Sequence, residues 1–437
     1  MSRKLASIVE ISKVSPIEGA DRLEVAEMKG KGWKVVIQKG EFHPGDLAVY
    51  FEIDSFLDPN DERYAFLKDR SLRRFVSKGG NVLREGIKIK TIKLRGQISQ
   101  GLLMPLDKFP EILARVKDFK PEYVREGWLS DEALIGKVFI VETAEEYNKR
   151  MDEKDKEWIA NYPNFPPAPR LVYTDNNDIW KFFCAPLIGA DVTALLHVEH
   201  YDEVKESLSP QMGNPICADA LGKFPSDYIP KTDEERLANL NDWFDTMKGR
   251  KWQLTVKADG SSCTIAFSPT IDFEHPQIVC SRNLRLKHET ADGKTPVYWQ
   301  VAEKYGILDK LGDLFVGGLE YAMQGEVVGP WVQKCRNGEK EYKFLCFRIW
   351  DIKNQKWVNP NETVDICKKL QIPHVQVLKT DYPFFDEVHS YDEAVELAVG
   401  KTAEGNEREG IVCKTVDNGP YASFKVISPK YLLKNEE

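Results

Sequence analysis

No stretch of the 437-residue chain approaches the roughly 20 consecutive apolar residues of a membrane span. The N-terminus, Met1-Ser-Arg-Lys-Leu-Ala-Ser-Ile-Val-Glu-Ile, has neither an apolar core nor a small-residue cleavage site, so no secretory signal and no membrane partner are expected. Cysteine pairs at metal or redox spacing are missing too. The eight cysteines (Cys184, Cys217, Cys263, Cys280, Cys335, Cys346, Cys367 and Cys413) are scattered, several of them in apolar stretches. That reads as buried free thiols in the cytoplasm or another reducing compartment. No phosphate-binding glycine loop of either common type occurs, so any nucleotide must be held by other means. There is no internal repeat. A net charge of −8 excludes a chain coated in basic surface, but it leaves room for a local basic patch.

Such a patch is present. From Lys68 to Arg95 the chain carries ten Lys or Arg against two acids. A solvated face is the plain reading of such a run, and a nucleic-acid contact is the sharper one. Around it, residues 5–57 read as short strands separated by turn signals, and Lys88–Leu94 alternates again, which suggests a small barrel. The next stretch, 109–187, differs. It holds the charge-dense, helix-like Met151-Asp-Glu-Lys-Asp-Lys-Glu-Trp and the proline-rich, extended Asn164-Phe-Pro-Pro-Ala-Pro-Arg. Asp233–Met247 shows a helical pattern with Asp233 as N-cap. From Lys251 strands dominate, with helices expected over Val297–Leu311, Asn361–Leu370 and Tyr391–Val399. The fold class is α+β, since regular βαβ alternation is absent. His197-x-x-His200 has helical metal spacing, but no further ligand completes a zinc site.

The string Lys257-Ala258-Asp259-Gly260 arises by chance about one time in ten in a chain this long. Alone it would be a turn beside a solvated lysine. It is followed by Ser281-Arg282-Asn283, then Gln324-Gly-Glu-Val-Val-Gly-Pro330, then Phe344-Leu-Cys-Phe-Arg-Ile-Trp-Asp351. Glu409-Gly-Ile-Val-Cys-Lys414 and Ser423-Phe-Lys-Val-Ile-Ser428 complete the set. In order and spacing these segments resemble the motifs of the covalent nucleotidyltransferases, which include RNA ligases, DNA ligases and capping enzymes. Their wording most resembles the ATP-dependent RNA ligase family typified by the Deinococcus enzyme. Pro16-Ile-Glu-Gly-Ala-Asp-Arg, Gly45-Asp-Leu-Ala-Val-Tyr-Phe and Lys90-Thr-Ile-Lys-Leu-Arg-Gly resemble that family's N-terminal OB-like domain. Gly189-Ala-Asp-Val and Phe224-Pro-Ser-Asp-Tyr-Ile-Pro-Lys231 resemble its linker, where Lys231 is a candidate phosphate contact.

Residues 109–187, which the resemblance does not cover, read from their composition as an insertion or connector. The resemblance implies an OB-like β-barrel over 1–108 and a linker plus nucleotidyltransferase domain over 188–437. That last domain would consist of mostly antiparallel sheets with flanking helices. Lys257 would take AMP from ATP, with Mg2+ or Mn2+, and RNA ends or a nicked duplex would receive it. Such chemistry needs a neutral amine, hence a lysine pKa lowered by desolvation or nearby cations, a bound metal among them. By resemblance Lys425 meets the α-phosphate, Glu326 the ribose hydroxyls, and Glu409 the divalent metal or its waters. Phe347 would stack on adenine, Arg282 would lie near the ribose or RNA end, and Asp259-Gly260 would present the lysine. Two positions depart from the pattern. Val256 stands where a glutamate usually precedes the nucleophile, and Arg348 stands where an aspartate usually follows the stacking ring. Capping-type or DNA-ligase-type transfer, and an inactive nucleic-acid-binding scaffold, are the alternatives.

Overall fold

The computed structural model describes residues 4–76, 82–119, 134–161, 166–167, 184–201, 220–290, 292–330, 332 and 338–435. The chain divides into two compact units, residues 1–29 with 33–213, and residues 30–32 with 214–437.

The first unit opens with β1 (Ala6–Pro16), β2 (Leu23–Met28), β3 (Lys34–Gln38), β4 (Leu47–Phe51), β5 (Ser55–Leu57), β6 (Leu72–Val76), β7 (Val82–Lys88), β8 (Thr91–Leu94), β9 (Gln97–Gln100) and β10 (Leu102–Pro105). Five of them form a sheet in the order β10-β4-β1-β2-β3. β1 is long enough to serve two neighbours. Its first half pairs with β4 and its second with β2, and a bulge between Ile11 and Lys13 turns the strand between them. The Ser99 hydroxyl accepts from Val36 N–H at 2.9 Å, which ties β9 to the free edge of β3 and curls the sheet toward a barrel. Alternation places Ile8, Val49, Phe51 and Met104 in one core with Tyr64 and Phe109. Later come β11 (Val116–Asp118), β12 (Val138–Val141) and the expected charged helix, α1 (Ala144–Asn161), then β13 (Cys184–Pro186) and β14 (Glu199–His200). Gly189–Val192 bonds back onto β1, and β14 pairs with β5. Most of the proline-rich segment 164–170 lies outside the described residues.

The second unit contains β15 (Ala220–Lys223), β16 (Glu235–Arg236), β17 (Trp252–Lys257), β18 (Ser261–Phe267), β19 (Gln277–Cys280) and β20 (Leu284–Leu286). After the helices α2 (Val297–Lys304) and α3 (Ile307–Val316) come β21 (Tyr321–Val328), β22 (Lys343–Asp351) and β23 (Lys356–Trp357). Then follow α4 (Pro360–Lys369), β24 (Val377–Tyr382), α5 (Tyr391–Ala398), β25 (Gly410–Thr415), β26 (Ser423–Ile427) and α6 (Pro429–Asn435). One sheet runs β15-β20-β19-β18-β21-β22-β23, the other β16-β26-β25-β17-β24, and among the described strand pairs of these sheets only β16–β26 is parallel. The α+β class holds. β17 is buried along nearly its whole length because Trp252 packs in an aromatic cluster with Trp243, Phe385 and Phe424. The helix expected over 297–311 is broken in two, since Gly306 takes a left-handed φ of 57°.

The helix expected over Asp233–Met247 does not form. Glu235–Arg236 pairs with β26, Leu237–Asn239 is a 3-10 turn, and only Trp243–Thr246 is α-helical. Leu237 and Phe244 are buried all the same, so the apolar spacing recorded tertiary burial and not a helix. Asp233 caps nothing; its carboxylate faces two cations.

Candidate active site

The Lys257–Gly260 string is the crossover from one sheet of the second unit to the other. Lys257 ends β17 and Ser261 begins β18. The crossover is tight. A Cβ on Gly260 would lie 2.5 Å from the Val327 carbonyl oxygen and 3.1 Å from Glu326 Cβ, so glycine is what lets β21 approach the lysine. Gly410, paired with Lys257 in register, is tighter still, because a Cβ there would stand 2.1 Å from the Val426 carbonyl oxygen. Gly410→Ala is expected to destabilise the protein by about 3 kcal/mol or more, a loss that calorimetry would read.

Three of the sequence-expected carboxylates gather at the lysine. Lys257 Nζ lies 2.7 and 2.8 Å from the two oxygens of Glu409, at the start of β25. Glu326 arrives from β21 of the other sheet, opposite Ser262. Asp259 is held by a hydrogen bond from the Tyr431 hydroxyl on α6. Burial pulls the Lys257 amine down, but Glu409 first, then Glu326 and Asp259, outweigh it and hold the amine above the ordinary lysine value. Without metal, these carboxylates oppose the lowering that the chemistry needs. The largest influences on this lysine from the protein's own charged groups are anionic, although Lys425 is close enough to feel its charge. Glu409 is raised, mainly by burial. Glu326 is pushed up to about 8 by burial, partly countered by Lys257, and its Oε2 is buried with no hydrogen-bond partner.

Lys425 stands on β26 and its ammonium donates to Asp233 Oδ1 at 3.0 Å. Asp233 Oδ2 lies 3.5 Å from Arg282, so one carboxylate spans both cations. Burial lowers the Lys425 pKa, and Asp233 opposes that. Lys231, next to Arg282, donates to Asn283 Oδ1 at 2.9 Å. Phe347 is half-buried on β22. Arg348, the departure after it, pairs with an acid. Its guanidinium donates to Glu234 at 2.8 Å and to the Tyr421 hydroxyl, with Trp357 4.4 Å and Tyr421 4.9 Å from the cation. Three groups here carry no recognisable sequence signal: Asp233 as a partner, Glu234 and Tyr431. Each acts through a contact far away in sequence.

Among the described residues no three His, Cys, Asp or Glu side chains form a ready-made metal cage, and His197 and His200 belong to none. A hard divalent cation needs only one or two carboxylates if waters and phosphate oxygens complete its shell. Glu409, with the unpartnered Glu326 oxygen nearby, fits that mode.

Residues 5–106 match an OB-fold domain and residues 250–427 match the RNA ligase family. No match was found among curated proteins. Among solved structures, a mutant Naegleria gruberi RNA ligase with ATP and Mn is 29% identical. It covers 100% of both chains at a TM-score of 0.69. The same ligase with PPi is 28% identical over 100% of this chain and 99% of that one, at 0.68. A further mutant with AMP and Mn is 28% identical over 99% of each, at 0.69. The fold and its site thus define an enzyme in which an OB-fold domain precedes a sheet-rich catalytic domain. The chain is an RNA ligase.

Proposed function

We propose that this ligase is ATP-dependent and seals a 3′-hydroxyl to a 5′-phosphate, in nicked duplexes, through a covalent lysyl-AMP. The observation that carries the reading is Lys257 at the mouth of the sheet crossover, ion-paired to Glu409 with Lys425 on a neighbouring strand. The Lys257 amine attacks the α-phosphorus of ATP and pyrophosphate leaves. AMP then passes to the 5′-phosphate, and the 3′-hydroxyl displaces it. Lys425 and Arg282 meet phosphate and ribose or RNA, Glu326 the ribose hydroxyls, and Phe347 the adenine ring. Glu409 would hold Mg2+ or Mn2+, which would supply charge neutralisation, and a Glu409 so engaged would hold the Lys257 proton less strongly. The structures of the Naegleria ligase with ATP, AMP and Mn support this choice of cofactors. Membership of the Deinococcus-type branch is part of the reading, as is a connector role for 109–187. Five buried free thiols suit a reducing compartment, and no described helix is long and apolar enough to cross a membrane.

RNA contact falls to the first unit. Arg84 lies 4.7 Å over the Phe56 ring, Lys88 lies 4.5 Å over Tyr201, and Phe56, Phe75 and Tyr201 pack together. The basic run is less bare than its composition suggests, because Arg74 pairs with Glu85 and Arg84 with Glu199. RNA affinity is therefore expected to fall about tenfold or more between roughly 50 and 200 mM salt. A flat titration would remove the phosphate contacts from the proposal. Labelling with α-labelled ATP or GTP in separate reactions separates ligase from cap chemistry. Singly nicked duplexes with RNA or DNA on the 3′-hydroxyl side test the substrate, and failure to seal any nick would overturn that part.

A further inference from the structure

β22 carries one residue more than β21 can pair. Gln324 faces Arg348 and Gly325 faces Cys346, which leaves Phe347 as the extra residue of a bulge. Bulges loosen a ladder and re-aim a side chain, and they recur beside active sites. Here the strand parts company with β21 for a physical reason. Cys346 donates to the Pro373 carbonyl and accepts from Val375 N–H, both at 2.9 Å, so its backbone is spent on the segment after α4. On the β21 side, a Cβ at Gly325 would meet the Leu345 carbonyl oxygen at 2.5 Å and the Phe344 ring at 2.6 Å.

The other side of the bulge is closed by Lys414. This lysine belongs to β25, in the opposite sheet, and is only 2% exposed. Its ammonium donates to the Phe347 carbonyl and sits 5.2 Å from the Phe347 ring. A lysine this deep is costly unless its donors are used. Burial and then Arg348 bring the amine down to about 7, while Glu234 opposes them. Cys346, Cys413 and His374 are its other polar neighbours. Nothing in the proposed chemistry uses Lys414, yet it bridges the two sheets at the one residue that has left its ladder.

We infer that Lys414 is a positioning residue: its hydrogen bond to the bulged Phe347 carbonyl sets the aim of the ring that stacks on adenine. The inference rests on the proposed role of Phe347. An ammonium and a neutral amine both donate, so the bond survives titration of the lysine.

Equilibrium binding of ATP and of pyrophosphate to the full chain tests it, in wild type, Lys414→Met, Lys414→Gln, Phe347→Ala and the Lys414→Met/Phe347→Ala double variant. Lys414→Met is expected to weaken ATP binding about tenfold and leave pyrophosphate binding within about twofold, because only ATP presents a base to stack. The double variant should bind ATP no more weakly than Phe347→Ala, since both changes remove one interaction. Lys414→Gln, which keeps a donor, should recover most of the loss. Equal weakening toward both ligands would mark Lys414 as merely structural, and additive losses would show that it acts apart from Phe347. Either result overturns the inference alone. Ordinary ATP affinity in Phe347→Ala would overturn the reading of the ring and the inference with it. Should Lys414→Met not fold, Lys414→Gln decides: affinity within about threefold of wild type upholds the inference, and a tenfold loss rejects it.

Discussion

Lys257→Ala protein incubated with α-labelled ATP is expected to carry no covalent label, a loss of at least about a thousandfold. The size follows from the geometry. Among the described residues no other amine lies where Lys257 does, between Glu409 and Glu326. Lys425 faces Asp233, and Lys414 is sealed beneath Phe347. Lys257→Arg should be equally dead for label transfer, because a guanidinium does not give up its proton in a protein. The arginine control matters, since it keeps an ion pair with Glu409 and hence the sheet-to-sheet contact. Retained label in either variant, read by gel after denaturation, would move the nucleophile elsewhere.

Glu326→Gln is expected to make the ligand-free protein more stable at pH 8.5, by about 1–3 kcal/mol, and to weaken ATP binding at the same time. The sign comes from where the proton sits. Burial holds the folded carboxyl protonated up to about 8, whereas the unfolded group ionises near its ordinary value of 4.5. Between those two values the folded state binds more protons than the unfolded state. Stability therefore falls as pH rises through that window, and it is fully present only below it. Glutamine resembles the protonated acid and carries no such slope. Melting curves of the two proteins should coincide near pH 4.5 and separate by a few degrees at pH 8.5. A wild type that is the more stable at pH 8.5 would mean that Glu326 is a satisfied ion-pair partner. Its unpartnered Oε2 argues otherwise.

Much of this site could be read from the chain because its key residues sit in strands or at their ends, where short motifs carry them. Glu409 precedes Gly410 and Lys257 lies three residues before Gly260, the glycines that permit the close approach, and Glu326 follows a glycine beside the bulge. The first unit was legible for a related reason: alternation and turn signals report strands directly. What could not be read was everything decided by distant partners. The substitution at Arg348 was visible, yet nothing local pointed to Glu234, which comes from the linker. Asp233 looked like a helix cap because Leu237, Leu240, Trp243 and Phe244 recur at helical spacing. That spacing is satisfied instead by a parallel pairing with β26 and an aromatic cluster around Trp243. The three carboxylates that fold around Lys257 and raise its amine come from distant segments, so their combined effect could not be read locally.

The linker acids also change what nucleotide binding means electrically. Asp233 and Glu234 already serve as counter-ions to Lys425, Arg282 and Arg348. On the proposed function, a triphosphate reaching Lys425 does not fill a vacant positive seat; it takes the place of a carboxylate that was there first. One anion is exchanged for another, so little net charge is neutralised. Nucleotide affinity would then owe more to the base and ribose than to the phosphates, and would vary far less with ionic strength than the grip on RNA.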